Sequence, residues 1–388
     1  MQKIKYLEGL RGIAALITLF AHLAVTCFIT HQQFLYSKIN NWEVNSVLKL
    51  FLINSINKLV DGKFAVWIFW VLSAYVISIL FFKKNENYDK VLIGYFTKRY
   101  FRLFIPVLFS VIFAYLLLKF GFMYNRKLAV ILGPPYQNGW LDNFYFFEPD
   151  FFKAVGSAMY ATFFSYRPDY TYNSVLWTIQ NEFLGSLFTF SIFGVIRHNS
   201  KRYILYFIIM VVLIKLEIIW LCAFVLGHIL CDYDFSNSEN RVVKYIKAKE
   251  LRIHSFKFIG FVFSILFMVF GNEILDFLQI SPDYNNLILS VFLVYICLRN
   301  DYYKSIFSSK IPYWLGKISF GLYLIQLPII CSLTSYLILA NNTFQGKIVA
   351  SVITIALVLM GAAFFTKFID KKSVYFANRV GDYFKQFS

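Results

Sequence analysis

Long apolar stretches alternate with short polar ones along the whole chain. Ten stretches read as membrane spans: about 10–29, 64–82, 103–122, 175–196, 202–215, 217–231, 256–271, 286–299, 318–340 and 347–369. Each is rich in Phe, Ile, Leu and Val, and none alternates with the period of two that marks a strand. A helix crosses a bilayer with roughly 20 mostly apolar residues. The pattern therefore predicts an all-α fold, a polytopic membrane helix bundle of about ten transmembrane helices. Residues 202–231 are the ambiguous stretch, either one long tilted helix or two short ones folding back at Lys215-Leu216-Glu217. A turn there keeps two charges out of the bilayer centre, where they are costly. Two further stretches read as interfacial helices: 151–166 is apolar but short, and 41–60 places Leu48, Leu52, Ile56 and Val60 at helical spacing. The longest piece outside the spans, about 123–174, contains Gly133-Pro134-Pro135 and many aromatic residues and reads as an outer loop region. The chain divides into one transmembrane domain, 1–370, and a short cytoplasmic tail, 371–388.

Composition narrows this further. Of 388 residues, 59% are hydrophobic and 15% charged, and the mean hydropathy is +0.60. Soluble domains have about 45–50% apolar and about 25% charged residues. One soluble core cannot hide this much apolar surface, and disorder requires low hydrophobicity. The formal charge of +17 fits either nucleic-acid binding or basic cytoplasmic loops. With the N-terminus inside and ten spans, 26 Lys and Arg fall in the inside segments 1–11, 83–102, 197–202, 231–257, 299–317 and 370–388. The outside segments hold 11, whereas the acidic residues divide evenly. A Lys/Arg bias without an acidic bias sets orientation. Both termini are expected in the cytoplasm, and no nucleic-acid partner is expected. The five cysteines lie in or at the ends of spans without C-x-x-C spacing, and read as small buried hydrophobes with no metal to hold. Glu8 and Arg11 interrupt the first apolar run, which favours an uncleaved first span over a signal peptide.

Ionisable residues inside spans are expensive, so they are functional candidates. Arg11 and His22 are eleven positions apart on the first span. On a helix they share a face, with His22 roughly 16 Å further along, near the membrane middle. Glu182, eight residues into the span that begins near Ser174, lies at about the same depth and can form a proton-handling pair with an imidazole. Structural pairing with a neighbouring helix is the alternative for both. Trp177 faces elsewhere and reads as an interfacial anchor, with a contact to substrate as its other candidate role. Arg99 and Arg102, three apart at the mouth of the third span, form a fork suited to phosphate or carboxylate, although orientation alone also places arginines there. Ser319 and Tyr323 are four apart on the ninth span, with Gln326 deeper in the same helix.

These pieces resemble the acyltransferase-3 family of integral-membrane acyltransferases over nearly the whole chain. Leu7-Glu8-Gly9-Leu10-Arg11-Gly12-Ile13-Ala14-Ala15 through His22 resembles the family's opening block, an Arg and a His separated by ten residues. Phe69-Trp70-Val71-Leu72-Ser73-Ala74-Tyr75 resembles its second-span block. Arg99 and Arg102 match its Arg-x-x-Arg motif, and Leu176-Trp177-Thr178 through Glu182 resembles its Leu-Trp-Ser-Leu-x-x-Glu block. Leu315 to Pro328 resembles its late block. Ala74 stands where Gly is usual, Pro106 follows Arg102 one residue later than the commoner pattern, and Gln326 stands where many members have His.

The resemblance implies an O-acetyltransferase-type membrane enzyme of the cell inner (plasma) membrane, acting as a stand-alone membrane domain. It would move an acyl group, usually acetyl from acetyl-CoA, to a hydroxyl of an envelope glycan or lipid-linked sugar. Arg99, Arg102 and Arg11 would hold the donor's phosphates, His22 would act as general base, and Glu182 would orient it or stabilise its charge. Ser73, Ser319 or Tyr323 would serve the oxyanion, and a covalent relay through Tyr or Ser is equally allowed. Membrane lipids are the other expected partners. The competing reading is a transporter or flippase of a lipid-linked saccharide. Against it, the two halves show no repeat and no paired broken helices.

Overall fold

The structure, a computed structural model, describes residues 4–29, 39, 45–83, 88–196, 199–235 and 257–386. Among these residues every regular element is helical. In chain order the helices are α1 (Lys5–Cys27), α2 (Ser46–Leu59), α3 (Gly62–Lys83), α4 (Tyr88–Lys119), α5 (Asn125–Leu132), α6 (Phe151–Gly156), α7 (Trp177–Ile196) and α8 (Arg202–Lys215). They continue with α9 (Ile219–Phe235), α10 (Lys257–Phe277), α11 (Pro282–Arg299), α12 (Asp301–Ser308), α13 (Lys310–Ile329), α14 (Phe344–Phe365) and α15 (Lys371–Gln386). Single π-turns extend three of them. α6 runs on to Phe164 and α13 to Ala340, and α14 passes into α15 through Thr366–Asp370. Residues 371–386, the expected tail, are helical and follow α14 without a break in the helix. Many of the basic residues behind the orientation count lie in 236–256, outside the described residues.

Among the described residues, seven helices are long and apolar enough to cross a membrane. The other three expected spans correspond to α8, α9 and α11, with 14, 17 and 18 residues. At 1.5 Å per residue they reach about 21–27 Å, short of the roughly 30 Å hydrocarbon core. The stretch 202–231 is two helices. At its break Glu217 adopts φ 58°, Glu217 N–H donates to Ile214 O, and Ile218 N–H donates to Leu213 O. That is a Schellman motif, which satisfies the last carbonyls of α8 and turns the chain without a glycine. Both stretches expected at the interface contain helices, α2 capped by the Asn45 side chain and α6 by that of Asp150. Large apolar side chains stay exposed along α10 (Phe258, Ile259, Phe263) and α14 (Val349, Val352, Phe364). Such a surface is stable against lipid and not against water.

The chain forms two compact units. The first comprises 1–14, 63–92 and 184–316, and the second 15–62, 93–183 and 317–388.

In the first unit the glycines of the opening block have a packing reason. A Cβ on Gly9 would lie 1.8 Å from Phe307 O, one on Gly12 2.3 Å from Gly316 N, and one on Gly316 2.0 Å from Glu8 O. The start of α1 therefore touches α12 and the start of α13 backbone to backbone, as small residues allow in membrane helices. Ala74 of α3, where the family usually has Gly, meets Gly227 of α9. There a Cβ on Gly227 would stand 2.4 Å from Val71 O, so α9 supplies the missing space. The same unit buries an ionic cluster. Asp234 accepts from Tyr75 (2.7 Å) and Arg299 (2.5 Å), Asp232 pairs with Arg202 (2.8 Å), and Ser78 bonds His228 (2.7 Å).

The second unit assembles the C-terminal half of α1, most of α4, the region 123–183, and α13 to α15. Ser110 of α4 donates to Leu324 O, and Asn173 donates to both Ser110 Oγ and Leu324 O. These buried bonds tie α4 and the entry to α7 onto α13.

Candidate functional site

α1 places Thr18 and His22 one turn apart, and α13 places Ser319, Tyr323 and Gln326 on one face at spacings of four and three. The Gln326 amide lies against the His22 imidazole and donates to Thr18 Oγ1 at 3.2 Å. Thr18 in turn donates to Ala15 O. The second wall of the imidazole is Trp140, stacked on it with centroids 5.3 Å apart and planes 16° apart. His22 Nδ1 and Gln326 Oε1 are buried without a hydrogen-bond partner. Buried polar atoms are almost always satisfied, so each of these two can take a polar group of a ligand.

Trp140 sits on a short 3-10 turn, Trp140–Asn143, that the loop region builds for it. Asn125 at the start of α5 donates to Leu141 O (2.9 Å) and Phe144 O (3.2 Å), Arg126 pairs with Asp142 (3.5 Å), and the Phe144 ring stands edge-on to Trp140. Burial pushes the hydroxyl of Tyr166 up to about 12. It stays protonated and donates to Ser174 O, pinning the entry to α7.

On α7, Thr178 and Glu182 are one turn apart. The Tyr323 hydroxyl is 2.8 Å from Thr178 Oγ1 and 3.3 Å from Val175 O. Glu182 is ion-paired with Arg99 of α4, the two side chains 20% and 17% exposed. The sequence puts Glu182 and His22 at one depth. The structure gives the Glu182 carboxylate the Arg99 guanidinium as partner, and it connects α7 to α1 through the polar face of α13. Arg102 is ion-paired with Asp370 in the π-turn between α14 and α15, and its guanidinium lies 5.4 Å from the Phe320 ring centre. The Arg-x-x-Arg fork is therefore open on α4 yet engaged by carboxylates from two other helices. Ser319 is buried one turn from Tyr323, and Trp177 is 41% exposed. Arg11 and Ser73 belong to the first unit. Arg11 lies 3.5 Å from Glu8, and Ser73 is buried in α3.

Sequence reasoning passed over Trp140, Thr18, Asn173, Ser110 and Asp370. Asp370, an acid at the end of an apolar span, had a readable signal. The others did not, because a lone Trp, Asn or Ser in an aromatic loop or apolar helix resembles many that only pack.

Among the described residues no group of three His, Cys, Asp or Glu is placed to hold a metal ion. A family model described as an acyltransferase domain, Acyl_transf_3, matches residues 4–367. The chain belongs to the acyltransferase-3 family and is a multi-pass membrane acyltransferase. Comparison with curated proteins and with solved structures gave no match.

Proposed function

We propose that the enzyme transfers an acetyl group from acetyl-CoA to a hydroxyl of a cell-envelope glycan or lipid-linked saccharide, at the inner membrane. The observation that carries this reading is His22: a buried imidazole, held by Trp140 and Gln326, whose Nδ1 has no partner within the protein. Acetyl-CoA supplies an activated acyl group as a thioester. His22 takes the proton of the acceptor hydroxyl as the new carbon–oxygen bond forms and the carbon–sulfur bond breaks, and it returns that proton to the departing sulfur. Trp140 and Gln326 fix the ring so that little orientational freedom is lost on reaction. The single proton of the Tyr323 hydroxyl is held by Thr178 Oγ1 and Val175 O, and would turn from them to meet developing negative charge on the same face of α13.

The residues fit a polyanionic donor in a specific way. A guanidinium has five N–H donors, and one carboxylate uses two at most. Arg102, in the second unit, keeps its side chain 27% exposed beside Asp370 and has donors to offer a phosphate; Arg11, in the first unit, is 29% exposed beside Glu8. Arg99 is the more enclosed, and its pairing with Glu182 makes it the residue that positions α4 against α7.

Purified protein given acetyl-CoA and an envelope glycan should release free CoA thiol in an acceptor-dependent way. His22→Ala should abolish that release in a protein that stays folded, and Arg102→Ala should raise the KM for acetyl-CoA. Release that survives His22→Ala would remove the imidazole from the chemistry. No acceptor-dependent release across a glycan panel would sink glycan acetylation.

A further inference from the structure

Lys347 stands in the first turn of α14, yet it is 5% exposed. That turn holds no acidic residue, and among the described residues no carboxylate pairs with the ammonium. The aligned peptides of a 22-residue helix present positive charge at this end, so a cation is disfavoured there. Partial removal of the ammonium from water without a counter-ion adds to that cost. What the protein offers Lys347 is the face of Tyr136, 5.8 Å from Nζ to the ring centre. The Tyr136 hydroxyl is itself buried and without a partner. Cys27 of α1 and Ser351 of α14, linked at 3.5 Å, belong to the same corner. A cation, a hydroxyl donor and a helix N-terminus converge with nothing negative among them.

The corner belongs to the described site. Tyr136 and Trp140 are four residues apart in one loop, so the loop that stacks on His22 also covers Lys347. Cys27 lies five residues beyond His22 on α1. Along α14 and its π-turn, Lys347 is about 35 Å from Asp370, the partner of Arg102. The arginine end and the lysine end of this unit are therefore separated by roughly the thickness of a bilayer.

We infer that Lys347 and Tyr136 form an oxyanion subsite for the acceptor, so that the saccharide acylated here carries a phosphate or carboxylate. This rests on the acyl-transfer reading, with the donor at the arginine end and the acceptor entering from the lysine end. The Lys347 ammonium and the Tyr136 hydroxyl both donate to the acidic group, and Trp140 covers the adjoining sugar ring beside His22. A neutral saccharide leaves the ammonium unpaired and binds more weakly.

The test uses the full-length protein in lipid nanodiscs and three soluble probes of one length: a neutral oligosaccharide, one bearing a uronic acid and one bearing a phosphate. Binding is measured by calorimetry, independently of catalysis. At least one acidic probe should bind about tenfold tighter than the neutral one, the scale of one charge-assisted contact. The stronger acidic arm tells carboxylate from phosphate. Lys347→Met should erase the preference, Lys347→Arg should keep most of it, and Tyr136→Phe, which removes one hydroxyl and keeps the ring, should reduce it. Lys347→Met should also leave thermal stability unchanged or higher, because it removes a charge without a counter-ion from a largely enclosed side chain. A purely packing lysine would give a loss. Should Lys347→Met not fold, the inference is wrong about the cost of that charge, and Tyr136→Phe still reads the preference. Equal binding of all three probes, or a preference that survives Lys347→Met, overturns the subsite. An intact preference without acetyl transfer to any probe would leave the subsite standing and remove the acetylation reading instead.

Discussion

The ion pair between Arg99 and Glu182 supports a quantitative prediction. It joins α4 to α7 next to Tyr323 and Thr178, and its side chains are 17% and 20% exposed. Removing one member of a fully buried pair costs about 3–5 kcal/mol, because the other is left as an uncompensated charge, whereas exposed pairs are worth about 0.2–1 kcal/mol. With about four-fifths of each side chain enclosed, Glu182→Gln should cost about 2–3 kcal/mol. Arg99→Gln should cost a similar amount. The double substitution should cost little more than either single one, since neither amide then faces the charge that a single substitution leaves uncompensated. The interaction energy from the cycle is about 2 kcal/mol, well above the roughly 0.5 kcal/mol within which independent sites add. The assay is chemical denaturation of the four proteins in mixed micelles at one lipid composition, repeated at low and high salt. Enclosed charges are screened weakly, so the interaction energy should persist at 1 M salt. Costs that add within about 0.5 kcal/mol would refute the pairing and return Arg99 to the pool of charges that only set orientation.

Two other perturbations follow from the packing. Gly316→Ala forces a Cβ to within 2.0 Å of Glu8 O, a backbone atom that cannot swing aside, and should cost at least about 1–3 kcal/mol in thermal or chemical unfolding. Gly156→Ala meets nothing within 4 Å in a helix, so it should stabilise by about 0.4–1 kcal/mol; the opposite order would contradict the α1–α13 contact. Trp140→Ala should lower kcat about tenfold or more with little change in the KM for acetyl-CoA, and Trp140→Phe should recover much of it. An equal rise in KM would place Trp140 on the donor instead.

How much of this was legible beforehand differs by residue. His22, Gln326 and Tyr323 stand out from the chain because a polar group in an apolar helix is rare, and helical spacing puts Tyr323 and Gln326 on one face. The break at 216–218 was one of two readings of the chain: Lys215 and Glu217 are costly mid-membrane, and the structure selects the turn over one long tilted helix. The partner of Glu182 is different. Depth along a helix is a one-dimensional quantity, and depth suggested His22. The choice of Arg99 depends on how α7 is rotated and on which helix stands beside it. Asp370 escaped as the partner of Arg102 for the same reason, with 268 positions between them.

The sequence by itself determined that this is a helical membrane protein, because apolar run length and charge bias act through local energetics that any neighbouring helix would leave intact. It also carried the family, in blocks that survive as strings of residues. Tertiary structure alone decided that Trp140 closes over His22, that the arginine fork is bridged by carboxylates from α7 and the α14–α15 turn, and that Lys347 is enclosed without a counter-charge. These are contacts between residues 83 to 268 positions apart, set by helix rotation and close glycine packing, and no local pattern in the chain encodes them.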